Sequence, residues 1–250
     1  MTSNLSHSYL SQQKENANSF ASHGSKNVEA GLATALSDLQ LDHLDLYHMH
    51  WPVADTPLGH HKIEFLSTWD SMTELVRAGK TRHIGVSNFS PAQLDTLLNH
   101  TSHPPAVHQM ELHPYLQQRD WIAWHEEHGI HVTGYSPFAG TNPAYDHGDP
   151  PQLLENEVVT AIAEKRHCTP AQVALVWGMR RGTSVIPKSS HQKWIAENYG
   201  ALKCELGDED FAKVDRLAEY HHRFNNLSKS WGVELYEGLE DSRGKHREHE

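Results

Sequence analysis

Apolar residues first recur at helical spacing just after Asn27. In VEAGLATALSDL, Val28, Leu32, Ala35 and Leu36 fall on one stripe, the i, i+4, i+7, i+8 signature of an amphipathic helix. A buried strand follows over 45–50 and stops at Trp51-Pro52. The pattern then predicts a helix over 63–78 ended by Gly79, a strand over 83–87, and a helix opened by Ser90-Pro91, since Pro is tolerated in the first turn. Further on it predicts a strand over 106–110, a helix over 119–128 ended by Gly129, and a strand over 130–135. A loop rich in Gly, Pro, Asn and Asp covers about 138–153. Beyond it lie helices over 157–166 and 170–181, a short strand over 183–186, and helices over 191–199 and 208–220. Residues 1–27 read as a flexible lead-in, 28–236 as the folded body and 237–250 as a polar tail, because both ends lack apolar periodicity.

Strands that alternate with helices pair in parallel through right-handed crossovers. The two candidates are a barrel and an open nucleotide-binding sheet. No Gly-x-Gly-x-x-Gly follows the first strand, which weakens the second option. Five strands are recognisable, and each carries a polar or aromatic residue at its C-terminal end: His50, Ser87, Gln109, Tyr135 and Lys188. An active face built from strand ends is what an α/β barrel of the TIM type predicts.

The chain has 250 residues with 32 acidic and 21 basic side chains, a net charge of −11. That balance argues against nucleic acid or an anionic membrane as a partner. No apolar run is long enough to span a bilayer, and the first residues lack the basic start and apolar stretch of a secretory signal. The two cysteines, Cys168 and Cys204, are far apart in sequence. They suggest no disulfide framework and a reducing, cytoplasmic home.

The strand ends carry the candidate chemistry. An imidazole at His50 suits proton donation or carbonyl orientation in a pocket; the alternative is a core histidine closing a strand. Ser87, Asn88 and Gln109 offer hydroxyl and amide groups that complement a carboxamide, although Ser87-Asn88 also fits a helix cap before Pro91. Tyr135 offers a flat face for a ring, or plain core packing. Lys188 with Ser189 and Ser190, just before a helix, suits phosphate; a surface lysine beside a serine cap is the alternative. His48 shares a strand face with His50, but no carboxylate or Cys at ligand spacing supports a metal pair, and no metal is expected.

Five segments resemble the aldo-keto reductase family, within it the fungal-type xylose, glycerol and aldehyde reductases. They are LDHLDLYHMHWPV, HIGVSNFS, HQMELHPYL, GYSPF and VIPKS with AEN, in the family's order and near its spacings. The resemblance runs from about Asn27 to about Tyr236. It implies an NAD(P)H-dependent oxidoreductase that reduces a small aldehyde or ketone. His50 would orient the carbonyl, with Trp51 as a pocket wall. Ser87, Asn88, Gln109, Tyr135 and Ser136 would hold the nicotinamide. Lys188, Ser189 and Ser190 would hold the phosphates, and Glu197 with Asn198 the adenine. Trp231, in the stretch that resembles the family's pocket-covering loop, would reach the substrate. The family's usual Arg, six residues past the Lys, is replaced by Trp194, so NADH joins NADPH as a possible cofactor.

The family's catalytic Tyr, Asp and Lys belong to its first three strand-helix units, which this sequence is not expected to contain. Tyr9 lacks their surroundings, and Asn4 falls where the Lys would stand. The expectation is therefore a (β/α)8 barrel lacking its N-terminal part, with open sheet edges available for self-association. The other readings are a non-catalytic NADPH-binding or regulatory protein, or an incomplete gene model.

Overall fold

The computed structural model describes residues 25–55, 61–141 and 150–239. The expected lead-in up to residue 24, with Asn4 and Tyr9, lies outside the described residues, as do residues 142–149 of the 138–153 loop and the tail from 240. The chain forms two compact units, one from residues 1–108 with 227–250 and the other from 109–226.

The first unit opens with helix α1 (Ser25–Leu39), followed by strand β1 (Leu44–Met49). The stripe residues Val28, Leu32 and Ala35 are buried, as their spacing requires. Strands β2 (Val53–Asp55) and β3 (His61–Ile63) form an antiparallel pair that the sequence pattern does not reveal. Helix α2 spans Leu66–Arg77, not 63–78. Ile63 pairs with Val53 and so belongs to the hairpin, and His61 opens β3. Strand β4 (Thr81–Ser87) pairs in parallel with β1, Leu46 opposite His83 and His48 opposite Gly85. Helix α3 (Pro91–His100) is opened by a capping box. Ser90 N donates to Gln93 Oε1 at 2.9 Å and Gln93 N donates to Ser90 Oγ at 3.4 Å, which satisfies two amides the first turn would leave bare. Strand β5 (Val107–Glu111) starts in this unit and ends in the other.

The second unit continues with helix α4 (Arg119–Glu127) and strand β6 (His131–Tyr135). Helices α5 (Glu157–Arg166) and α6 (Pro170–Arg180) precede strand β7 (Ser184–Val185), which pairs in parallel with β6. Thr169 opens α6 with a second capping box. Helix α7 (Gln192–Gly200) and helix α8 (Asp208–Asp215) follow. The helix expected over 208–220 tightens into a 3₁₀ segment from Arg216 to Tyr220. The short helix α9 (Ser228–Trp231) returns to the first unit. Val173, Leu175, Trp177, Val159, Ile162 and Tyr115 lie in the core of the second unit.

The expectation for the cysteines is overturned. Cys168, just beyond α5, and Cys204, before α8, are joined by a disulfide with Cα atoms 5.8 Å apart. Their distance in sequence misleads because α5 and α8 pack on each other. The argument from unpaired thiols to a reducing compartment therefore no longer holds. Among the described residues no helix is long and apolar enough to cross a membrane.

Candidate functional site

The candidate residues divide between the two units. In the first, His50 lies one residue past the end of β1, and Ser87 closes β4. Asn88 follows at φ 63°, in the left-handed region, which Asn tolerates better than most side chains. That turn aims its amide at the end of β1. Asn88 Nδ2 donates to the backbone oxygen of His50 at 3.0 Å and to Ser87 Oγ at 3.1 Å. Ser87 and Asn88 are buried. The cap of α3 is Ser90, so the capping role that Ser87-Asn88 also suited is filled by another residue.

His50 is half-buried, and burial lowers the pKa of its imidazole to about 4. It is therefore neutral at pH 7, with one N–H to donate and one lone pair to accept. Such a ring suits orienting and polarising a carbonyl better than delivering a proton as imidazolium. His48, two residues earlier, is also lowered to about 4, first by burial and then by the charge of His50. Its Nε2 is buried without a hydrogen-bond partner among the described residues. Among the described residues no three His, Cys, Asp or Glu side chains converge as metal ligands.

Trp51 is buried in a small apolar cluster with Val53, Leu235 and Tyr236. The Trp231 ring meets it edge-on at 4.9 Å and lies 5.6 Å from His61. Trp231 is thus packed against Trp51, the residue expected as a pocket wall.

In the second unit, Gln109 is half-buried, and its side-chain amide makes no hydrogen bond to the described residues. Tyr135 ends β6 and is 5% exposed; Asn225 Nδ2 donates to its hydroxyl at 3.0 Å. Ser136, next along, adopts φ 49°. Lys188 and Ser190 are exposed in the turn between β7 and α7. Ser189 Oγ accepts from His191 N at 3.1 Å, which orders the entry to α7. Glu197 and Asn198 are half-buried on α7, where Gln172 Nε2 donates to the backbone oxygen of Glu197 at 2.9 Å. Trp194 is 51% exposed, with its ring edge-on to His191 at 4.3 Å.

Glu111 is the residue that the sequence reading passed over. Its carboxylate is fully buried at the end of β5. It accepts from His113 Nε2 at 2.9 Å, Phe224 N at 2.8 Å and Asn225 N at 2.9 Å. Burial alone would raise its pKa, but hydrogen bonding and charge from His113, the Arg223 charge and the Phe224 amide together hold it below the ordinary value. A carboxylate at the C-terminal end of the strand, two residues after Gln109, was the available signal.

Parallel strands alternating with helices, with polar side chains gathered at the strand ends, define an α/β enzyme scaffold of the TIM-barrel type. A sequence profile described as Aldo/keto reductase family matches residues 12–219. The chain belongs to the aldo/keto reductase family, a family of oxidoreductases. It is 38% identical over 235 residues to an uncharacterised oxidoreductase of Schizosaccharomyces pombe, a match covering 88% of this chain and 72% of that one. It is 38% identical over 210 residues to aldo-keto reductase family 1 member A1 of Cricetulus griseus, covering 79% and 65%. The chain thus spans about two thirds of the length of these curated relatives. Among solved structures, a Bombyx mori aldo-keto reductase in complex with NADP superposes with a TM-score of 0.77 at 31% identity, covering 86% of this chain and 70% of the other. Aldose reductase from Giardia lamblia gives 0.76 at 31% identity, covering 86% and 75%. The expected α/β fold of TIM-barrel type therefore stands.

Proposed function

We propose that this chain is an NADPH-using reductase of small aldehydes or ketones. The observation that carries the reading is His50, an imidazole kept neutral by burial at a strand's C-terminal end and backed by Asn88. The chemistry of the other candidates fits the cofactor. Gln109 has an uncommitted amide suited to a carboxamide. Lys188 and Ser190, at the N-terminus of α7, offer a cation and a hydroxyl suited to phosphate. In the family these positions serve one nicotinamide cofactor: Ser87, Asn88, Gln109, Tyr135 and Ser136 at the nicotinamide end, Lys188, Ser189 and Ser190 at the phosphates, and Glu197 and Asn198 at the adenine. The Bombyx mori relative carries NADP.

When bound, the reduced nicotinamide supplies the hydride. His50 would donate a ring N–H to the carbonyl oxygen and so favour the negative charge that hydride addition leaves there, and water would supply the proton that completes the alcohol. Asn88 holds the backbone of His50, so the ring keeps its direction. Trp51 and Trp231 supply an apolar wall for the carbon chain of a small substrate.

NADPH oxidation followed with a panel of small aldehydes tests the reading. Turnover is expected, and His50→Gln should lower it by about a hundredfold or more while NADPH binding is kept. NADPH binding with no aldehyde or ketone turned over would overturn the reductase reading in favour of a cofactor-binding protein.

A further inference from the structure

Glu111 sits at the centre of an arrangement that the cofactor reading leaves unused, and the hydrogen bonds of its carboxylate to His113, Phe224 and Asn225 lie within the second unit. Its carboxylate is fully buried. Two of its acceptor positions are taken by consecutive backbone amides, Phe224 N at 2.8 Å and Asn225 N at 2.9 Å. These amides are 113 and 114 residues away along the chain, so the carboxylate ties the segment entering the C-terminal region to the end of β5. His113 Nε2 donates to the same carboxylate at 2.9 Å and fixes its rotation. The backbone oxygen of Glu111 accepts from Gln118 Nε2 at 2.7 Å, and Gln118 Oε1 accepts from Arg223 at 3.2 Å. The segment is therefore held at Arg223, Phe224 and Asn225 in succession. The tie reaches the candidate site through Asn225, whose side-chain amide donates to Tyr135 Oη at 3.0 Å.

We propose that Glu111 is a positioning residue for the nicotinamide end of the cofactor site: by fixing the backbone of Phe224 and Asn225 it sets the Asn225 amide, which in turn sets the ring of Tyr135. The proposal rests on the cofactor reading above. A carboxylate suits the task because it only accepts, whereas an amide presents donors to groups that are themselves donors. Glu111→Gln keeps the volume and places an N–H₂ against at least one of them. A buried donor left without its acceptor is costly, so the segment shifts and does not simply lose a contact.

The test separates a positioning role from a structural one by using two ligands. NADPH carries the nicotinamide; adenosine 2′,5′-bisphosphate carries only the adenine end. Fluorescence quenching or calorimetry should show that Glu111→Gln weakens NADPH about tenfold, the scale of one charge-assisted hydrogen bond. Affinity for adenosine 2′,5′-bisphosphate should stay at the wild-type value. Asn225→Ala, at a half-buried position, should give the same selective loss, and the double variant should lose no more than either single one. Should Glu111→Gln not fold, Asn225→Ala alone must still show the selective loss, and Glu111→Asp, which keeps an acceptor-only carboxylate on a shorter stem, should show a smaller selective loss of its own. Unchanged NADPH binding, equal losses for both ligands, or additive effects would overturn the proposal while leaving the cofactor reading intact. A wild-type chain that binds neither ligand would instead overturn the cofactor reading, and this proposal with it.

Discussion

Gly85 lies directly against the imidazole of His48 on the neighbouring strand. A Cβ at Gly85 would stand 2.8 Å from both Cδ2 and Nε2 of His48, and 2.7 Å from the backbone oxygen of Val107. The imidazole can turn aside, but the Val107 carbonyl cannot without moving β5. Gly85→Ala is therefore expected to destabilise the protein by about 1–3 kcal/mol, the usual cost of overpacking a core. The variant His48→Ala/Gly85→Ala should recover only part of this, since the backbone clash remains. Urea unfolding of the three proteins checks both statements. Full recovery in the double variant would mean that His48, and not the strand, limits the space.

Buried neutral histidines make the fold sensitive to mild acid. His125 is fully buried and its pKa is lowered to about 4, chiefly by burial. In the unfolded chain the same ring takes up a proton near pH 6.5. Between those values the unfolded state binds more protons, so stability rises with pH there and is lost as pH falls from about 6.5 towards 4. The slope from one such group is at most about 1.4 kcal/mol per pH unit. His48 and His50 shift the same way but are partly exposed and contribute less. Thermal melts from pH 7 to pH 4 should show a falling Tm. His125→Gln should lower Tm at pH 7 and flatten that fall, and parallel curves for the two proteins would count against the argument.

The link between Cys168 and Cys204 closes a loop of 36 residues in sequence. Chain-entropy arguments give about 3–4 kcal/mol for a loop of that size. Reduction, or the pair of substitutions Cys168→Ser and Cys204→Ser, should lower the unfolding free energy by an amount of that order. Thiol titration in denaturant without reductant should find none. Two reactive thiols in that assay would show that the bond does not form in solution.

Trp194 stands where the family resemblance would place an Arg, with its ring half-exposed beside His191. An indole can stack on adenine but brings no charge to a 2′-phosphate. Wild type should therefore discriminate only weakly between NADPH and NADH, and Trp194→Arg should raise the preference for NADPH about tenfold, with a steeper salt dependence. Comparing dissociation constants for the two cofactors at low and high salt reads this out. A preference that does not move would place the 2′-phosphate away from α7.

The candidate site was legible where its residues sit in short segments with their own local logic. Ser87-Asn88 and Tyr135-Ser136 occur where a strand ends, and the structure keeps both there, whereas Lys188-Ser189-Ser190 falls in the turn that begins three residues past the end of β7. Glu111 was not legible, because the amides that explain it come from Phe224 and Asn225, more than a hundred residues later. Trp51 and Trp231 could be named separately, but their edge-on contact could not be read from the chain.

The chain by itself determined what forces within one turn or one strand decide. Apolar spacing fixed the buried side of α1 at Val28, Leu32 and Ala35. Ser90 and Thr169, each followed by Pro and then Gln at N3, opened α3 and α6 through capping boxes. Gly79, Gly129 and Gly182 stopped three helices at positive φ, where a side chain is strained. Tertiary structure alone decided the rest. Ile63 continues a helical apolar pattern, yet pairing with Val53 draws it into a hairpin. Cys168 and Cys204 become partners because α5 and α8 pack together. Periodicity and capping act between near neighbours, whereas strand pairing, disulfides and buried carboxylates depend on groups brought together only when the core closes.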